Sequence, residues 1–447
     1  GFLFLGWSII EGLGAVLVIP AIAALVADNY RGAERVTAFA VIGAVSGAAV
    51  AAGPLIGGAV TTYSSWRFVF VAEVVIMLGV VLCARIITDS TPRQSIRIDI
   101  GSVLLSSAGL VLIVFGMLQS KTWGWVVPLY TPEIAGVPIA PLGVSLTTWC
   151  IALGAALIAL FISWQRRLIR DGRSPLMQPD LFSITTLRSG LSVLGAQYAV
   201  TAGLFFMVPV YLQMTLGYDA LETGLKIFPL SVSLILFSIV GTALSRRWSP
   251  RRIVKVGQST LVLSAVLLLG AVTEDLRGVL FAAGMFLAGS ALGLLASQLG
   301  NVNMSSVGEK DTSEVGGLQG VFQNLGSSLG TALIGSLLIG ALSTSFASGV
   351  AVSDLPSDVR ETVSAATDRG VAVVPAADVA GIGEAAGLSD DDSSELADIY
   401  RESQLSSLRV SFVGLILISL LSILFSRGIP AHVSIRRRES AGAAERS

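Results

Sequence analysis

Charge is scarce in this sequence. Asp, Glu, Lys and Arg make up only 13% of its 447 residues, about half the share of a soluble domain, which excludes a globular protein with a water-facing shell. Histidine occurs once, as His432, and cysteine twice, as Cys83 and Cys150. A metal centre lacks ligands, and both cysteines fall in apolar runs, which argues against a disulfide. The pattern G-x4-G-K-[ST] is missing, so no phosphate-cradling loop is available to hydrolyse a nucleotide. No nucleophile triad can be assembled either, and no cleavable signal peptide is visible. Together these absences exclude an enzyme, and no cofactor or metal is expected.

What is present is apolar. The sequence is 53% hydrophobic, with a mean hydropathy of +0.78. Eleven runs are long enough to cross a bilayer as helices. They cover roughly 2–26, 36–60, 67–87, 100–119, 146–164, 189–214, 222–245, 253–272, 278–303, 315–342 and 408–426. The fold class is therefore all-α and polytopic, placed in the cell membrane by many passes. Arginines and lysines gather after every second run: Arg31 and Arg35, Arg85 to Arg97, Arg166 to Arg173, Arg246 to Lys255, Lys310, and Arg427 to Arg446. Cytoplasmic loops carry such an excess, so these loops are assigned to the inside. Their basic runs lie next to the membrane, which accounts for them without nucleic acid. The net charge of -1 says little about partners, because the charges are segregated by loop.

Two loops on the opposite side stand out. Residues 120–145 contain a Trp-Gly-Trp and several prolines. Residues 343–407 are long and acidic, with Asp390, Asp391 and Asp392. This second stretch reads as a solvated excursion with short helices over 355–367 and 393–408, capped near Ser357 and Ser393. The basic tail after Arg427 reads as disordered, with arginines placed to touch anionic lipid.

The stretch Arg35–Val60 is packed with Gly, Ala and Ser and carries Gly53-Pro54-Leu55-Ile56-Gly57-Gly58. Small residues gain nothing in lipid but let a neighbouring backbone come close, and Pro54 bends the helix. Gly53, Pro54, Gly57 and Gly58 resemble the antiporter motif of the major facilitator superfamily, in its proton-coupled drug-export branches. Glu34-Arg35 before the helix and Trp66-Arg67-Phe68-Val69-Phe70 after it resemble the flanks that family shows. Further stretches are similar to its 14-span drug:proton antiporters. Ser8 to Ala15 matches the glycines of R-x-x-Q-G-x-G-A, with Ser8 in place of the Arg and Glu11 in place of the Gln. Asp99 and Gly101 match a D-x-G at the start of a span. Phe206-Met207-Val208-Pro209-Val210-Tyr211-Leu212-Gln213, then Leu216-Gly217-Tyr218, form the longest match. Gly317 to Ala332, with Gly326 and Gly330, resembles the thirteenth span. Arg246, Arg247, Arg251 and Arg252 resemble a second copy of the family's cytoplasmic loop motif, with Arg246 where the family has Asp. The resemblance runs from the fourth span to the fourteenth, so the first three are expected to be missing.

That resemblance implies major facilitator helical bundles. Residues 1–98 would be the remainder of the N-terminal bundle, 99–187 two extra central spans with a linker, 188–426 the C-terminal bundle with its outer loop 343–407, and 427–447 a cytoplasmic tail. It also implies a central cavity and coupling to protons.

An ionisable group at membrane depth is expensive and marks function by default. Glu11 lies mid-span between glycines, and a carboxylate buried there would have a raised pKa. It is the first candidate for the proton carrier, against a neutral packing residue. Glu73 is the second, with a structural ion pair as the stronger reading. Gln197, Tyr198 and Phe205 on one span, Gln213 at its end, and Gln298, Gln319, Gln323 and Asn324 on others are candidates to line a cavity for an organic substrate. The same amides would equally serve to bond helix to helix. The partners expected are a small organic substrate, protons and membrane lipids, with no nucleic acid, and the chain is read as a monomer. The function expected is proton-coupled export of organic or amphipathic compounds by alternating access. A uniporter or lipid translocase on the same scaffold is the first rival. A non-transporting receptor or scaffold is the second.

Overall fold

The computed structural model describes residues 4–14, 52–53, 55–84, 99–134, 137–138, 140–308, 311–357, 359–361, 373–385 and 387–429, with isolated positions between them. It divides into two compact units, Gly1–Arg97 and Ile98–Ser447.

In the first unit, Phe4–Glu11 is a π-wound helical segment, residues 55–63 are helical, and α1 spans Arg67–Ala84. Trp66 packs edge-on against Phe70 at 5.8 Å, and the Arg67 guanidinium lies 4.6 Å from the Trp66 ring. Val71, Val75 and Leu82 of α1 are exposed. The first two apolar runs fall mostly outside the described residues.

In the second unit, eight described helices are long and apolar enough to cross a membrane, one for each of the last eight apolar runs. They are α2 (Ile100–Trp123), α3 (Leu146–Arg170), α4 (Thr185–Pro209), α5 (Ala220–Leu244), α6 (Pro250–Ala271), α7 (Gly278–Met304), α8 (Thr312–Ala351) and α10 (Asp390–Phe425), with short α9 (Asp378–Ala385) before the last. The only described strands are β1 (Glu133–Ile134) and β2 (Val137–Pro138), paired antiparallel in the α2–α3 loop.

Glycine decides how these helices pair. A Cβ on Gly154 of α3 would sit 2.7 Å from the Gly109 carbonyl of α2, so the two backbones touch. Gly326 and Gly330 of α8 lie against the Gly195 and Ala199 carbonyls of α4, where a Cβ would come within 2.2 and 2.1 Å. Gly289 and Gly293 of α7 press on the Leu230 and Leu234 carbonyls of α5. Residue numbers rise together across the α4–α8 and α5–α7 contacts, so both pairs run parallel. Backbones at this distance gain dispersion contacts that larger side chains forbid.

Helix ends are satisfied by distant side chains. Pro209 interrupts the ladder of α4, which continues as a π-wound turn, Val210–Thr215. That turn aims Tyr211 at the last carbonyls of α6. Its hydroxyl bonds Ala271 O at 3.0 Å and Thr273 O at 2.8 Å, and accepts from Thr273 N. Arg409 of α10 donates to Val272 O at 3.1 Å. The terminal carbonyls of α6, which have no helical partner, are thereby taken up by α4 and α10.

α8 and α10 hold 40 and 36 residues, about 60 and 54 Å at 1.5 Å per residue. A bilayer core is about 30 Å thick, so both helices continue well past it. The segment 343–407 is consequently not the solvated excursion expected from its composition. Leu342, Phe346 and Val350 meet Leu396, Ala397 and Tyr400 in a second core with Leu355, Ala376 and Val379. Phe346 and Tyr400 pack edge-to-face at 5.4 Å. The helix expected to begin at Ser393 begins at Asp390, capped by Ser389, and Ser393 is fully buried. Of the helix expected over 355–367, residues 359–361 and 363 are helical, and 364–367 lie outside the described residues. This small core is tied to the bundle by Ala376 N donating to Met214 O at 2.9 Å and by Gln404 Nε2 donating to Val374 O at 2.8 Å.

Candidate functional site

The candidate polar residues separate into those whose bonds are spent on the fold and those left open. Gln298, 2% exposed, donates to the Gly241 carbonyl at 3.1 Å, a bond from α7 to α5 that serves packing. Asn324 is exposed and donates to Gly320 O in its own helix at 2.9 Å. Gln197, 9% exposed, leaves its carbonyl oxygen without a partner among the described residues, and Gln319 leaves its amide nitrogen so. A buried amide atom without a partner costs about 1–3 kcal/mol, and the fold satisfies neither of these two. Tyr198, Phe205, Gln213 and Gln323 are half-buried.

The register separates these groups. Gly195 faces Gly326 and Ala199 faces Gly330, so Gln319 lies level with Arg188. That is nine residues before Gln197, or about 13 Å along the axis. Phe205 lies two residues beyond Gly203 and lines a narrow crevice, with room for about 10 Å³, together with Leu204, Val208, Ile227, Leu230 and Met285. The cavity candidates are therefore spread along α4, α7 and α8, apart from the narrow apolar crevice between α4, α5 and α7.

In the first unit Glu11 is exposed where the π-wound segment passes into an α-helical turn over 12–14, and Glu73 is exposed on α1. The ion pair expected for Glu73 is not found: the described residues hold two ion pairs, Arg167–Asp171 and Arg401–Asp398. No described atom lies within 4 Å of a Cβ placed on Gly53 or Gly57. Gly58 is buried, and Pro54 lies outside the described residues.

Sequence reasoning missed a polar network at the start of α2. Asp99 accepts hydrogen bonds from Ser102 N (2.8 Å), Ser102 Oγ (2.6 Å) and Trp164 Nε1 (2.9 Å). Gln165, fully buried, donates to Ser102 Oγ at 2.7 Å and accepts from Leu176 N and Met177 N. Gln178 then donates through its backbone to Glu314 and through its side chain to Asp311. The sequence sign was the D-x-G of Asp99 and Gly101; the partner Gln165 is hidden beside Arg166 and Arg167. The bonds from Ser102, then Trp164, hold the Asp99 carboxyl below its ordinary value. A depressed carboxyl stabilises the fold above its unfolded value, near 4, and that stabilisation is lost as pH falls through the folded value. Asp99→Asn keeps a cap acceptor but not the charge. Its thermal midpoint is expected to lie below the parent's at neutral pH, and the gap to close as pH drops below about 4. A gap independent of pH would separate the charge from the cap.

The family model described as Major Facilitator Superfamily matches residues 1–331. The puromycin resistance protein pur8 of Streptomyces alboniger is 26% identical over 347 residues, covering 76% of this chain and 64% of that one. A probable actinorhodin transporter of Streptomyces coelicolor is 24% identical over 366 residues, with coverages of 79% and 59%. The tetracenomycin C resistance and export protein of Streptomyces glaucescens is 26% identical over 414 residues, with coverages of 91% and 70%. The chain thus spans about 60% of the length of the first two relatives.

Proposed function

The chain belongs to the major facilitator superfamily, and on that premise we propose that it is a secondary active exporter of organic, amphipathic compounds, coupled to protons and working by alternating access. The observation that carries this reading is the company it keeps: relatives named for resistance to, or export of, antibiotics match three quarters or more of it. The physical chemistry supports it. Phe205 and Met285 supply adaptable apolar surface, and the unpaired amide atoms of Gln197 and Gln319 would meet polar groups in a state that opens this bundle. In this reading α4 to α8 with α10 form the C-terminal bundle over 188–426, α2 and α3 within 99–187 are the extra central pair, residues 1–98 belong to the N-terminal bundle, and 427–447 are a cytoplasmic tail. Glu11 carries the proton and Glu73 is the second candidate for it. Gly53, Pro54, Gly57 and Gly58 form the contact that moves between states.

The test is flux into vesicles with the cytoplasmic face outward. With an acidic interior and a fluorescent cationic drug as probe, the protein accumulates the drug. For one-for-one exchange a gradient of one pH unit supports at most about tenfold accumulation, and a protonophore abolishes it. Flux that ignores the gradient would identify a uniporter. No flux above empty vesicles would leave a receptor or scaffold.

A further inference from the structure

The arginines of the loop before α6 have no acid to answer them. Arg246, Arg247, Arg251, Arg252 and, at the end of α10, Arg427 make no ion pair among the described residues. The fold nonetheless brings Arg251 and Arg427 together. The Arg251 guanidinium donates to the Arg427 carbonyl, while its Nε is buried without a partner. A Cβ on Gly428 would lie 2.2 Å from Ser189 Oγ and 2.9 Å from Thr185 Cγ2 of α4. Arg188 shares that face of α4, being three residues from Thr185, and is exposed. Two helix N-termini therefore meet at this corner. That of α4 carries no side-chain cap, and its free amides attract anions. Trp248 lies under Arg252 at 4.1 Å, and a tryptophan of this kind sits at headgroup depth. Leu424 and Phe425, just before Arg427, are exposed apolar side chains, positioned for acyl chains.

We propose that this corner, formed by the starts of α4 and α6 and the end of α10, binds the phosphodiester of an anionic phospholipid. A phosphate there supplies negative charge to this basic cluster, and the adjacent exposed Leu424 and Phe425 of α10 select a lipid over a soluble anion. The site stands on the basic cluster and the membrane span alone, independently of any export.

The experiment uses the chain in nanodiscs of phosphatidylcholine with a minority of phosphatidylglycerol, counting the lipid retained on the protein by mass spectrometry. Phosphatidylglycerol is expected to be enriched over its share of the bilayer. Arg188→Gln and Arg427→Gln should each lower that enrichment about fivefold. Arg427→Gln leaves its carbonyl, the acceptor for Arg251, untouched, so a folding defect does not intervene. Arg427→Lys should retain the lipid. Arg277→Gln, before α7, should change nothing. The proposal is overturned if both glutamine variants retain phosphatidylglycerol like the parent, or if Arg277→Gln loses as much. It is equally overturned if inorganic phosphate displaces the lipid and stabilises the protein as well in pure phosphatidylcholine, since the site would then serve a soluble anion.

Discussion

Gly330→Leu is expected to destroy the packed core of residues 98–447. A Cβ there would sit 2.1 Å from the Ala199 carbonyl and 2.6 Å from its Cα. Those atoms belong to a helix backbone and cannot swing aside as a side chain can. Four residues away, Gly326 is in the same position against Gly195, so α4 and α8 would have to part along the whole contact. An extra methylene in an ordinary core costs about 1–3 kcal/mol, and a leucine forced into a backbone costs more. That is a large share of a typical 5–15 kcal/mol stability. The variant should lose its single peak in size-exclusion chromatography in detergent. Gly340→Leu in the same helix, where nothing lies within 4 Å, should keep the parent's peak and thermal midpoint. A Gly330→Leu protein that melts with the parent would show that the two helices do not meet as described.

The second large effect concerns Glu11. If it carries the proton, its charge changes during every cycle. Gln keeps the size and the hydrogen bonds of Glu but cannot titrate. Glu11→Gln should therefore abolish accumulation driven by a pH gradient, down to the level of vesicles treated with a protonophore. Downhill exchange of drug should persist, because the conformational change needs no proton to move. Accumulation equal to the parent's would make Glu11 a packing residue, and Glu73→Gln would be the next variant to measure.

Most of the helices were legible because lipid imposes a simple rule: an apolar run of sufficient length must be helical. Their ends were not. The run at 146–164 stops at Trp164, yet α3 continues to Arg170 with Gln165 and Leu168 buried, since a helix outlasts its bilayer-facing part. The acids of 390–392 concealed the fourfold spacing of Leu342, Phe346 and Val350, a period that did point to a buried helix face. The glycines of α8 were visible, but not their partners Gly195 and Ala199, because nothing local in a sequence encodes the register of two helices about 130 positions apart. The amides were the least legible of all. Gln298 and Gln197 look alike along the chain, and only the Gly241 carbonyl beside one of them settles that it is already engaged.

α8 and α10 extend past the bilayer as single rigid rods joined at their far end by the Phe346–Tyr400 core. Such an arrangement is a pointer on a gauge. A pair of helices pivoting within the membrane moves least near the pivot and most at the tip, and this tip projects about 15 Å or more beyond the apolar core. Any tilt of the pair about the Gly195–Gly326 crossing would be larger at the tip than at the crossing. A label on Asp391 or Glu395, outside any transport path, would read the tilt of the bundle without touching the machinery that causes it.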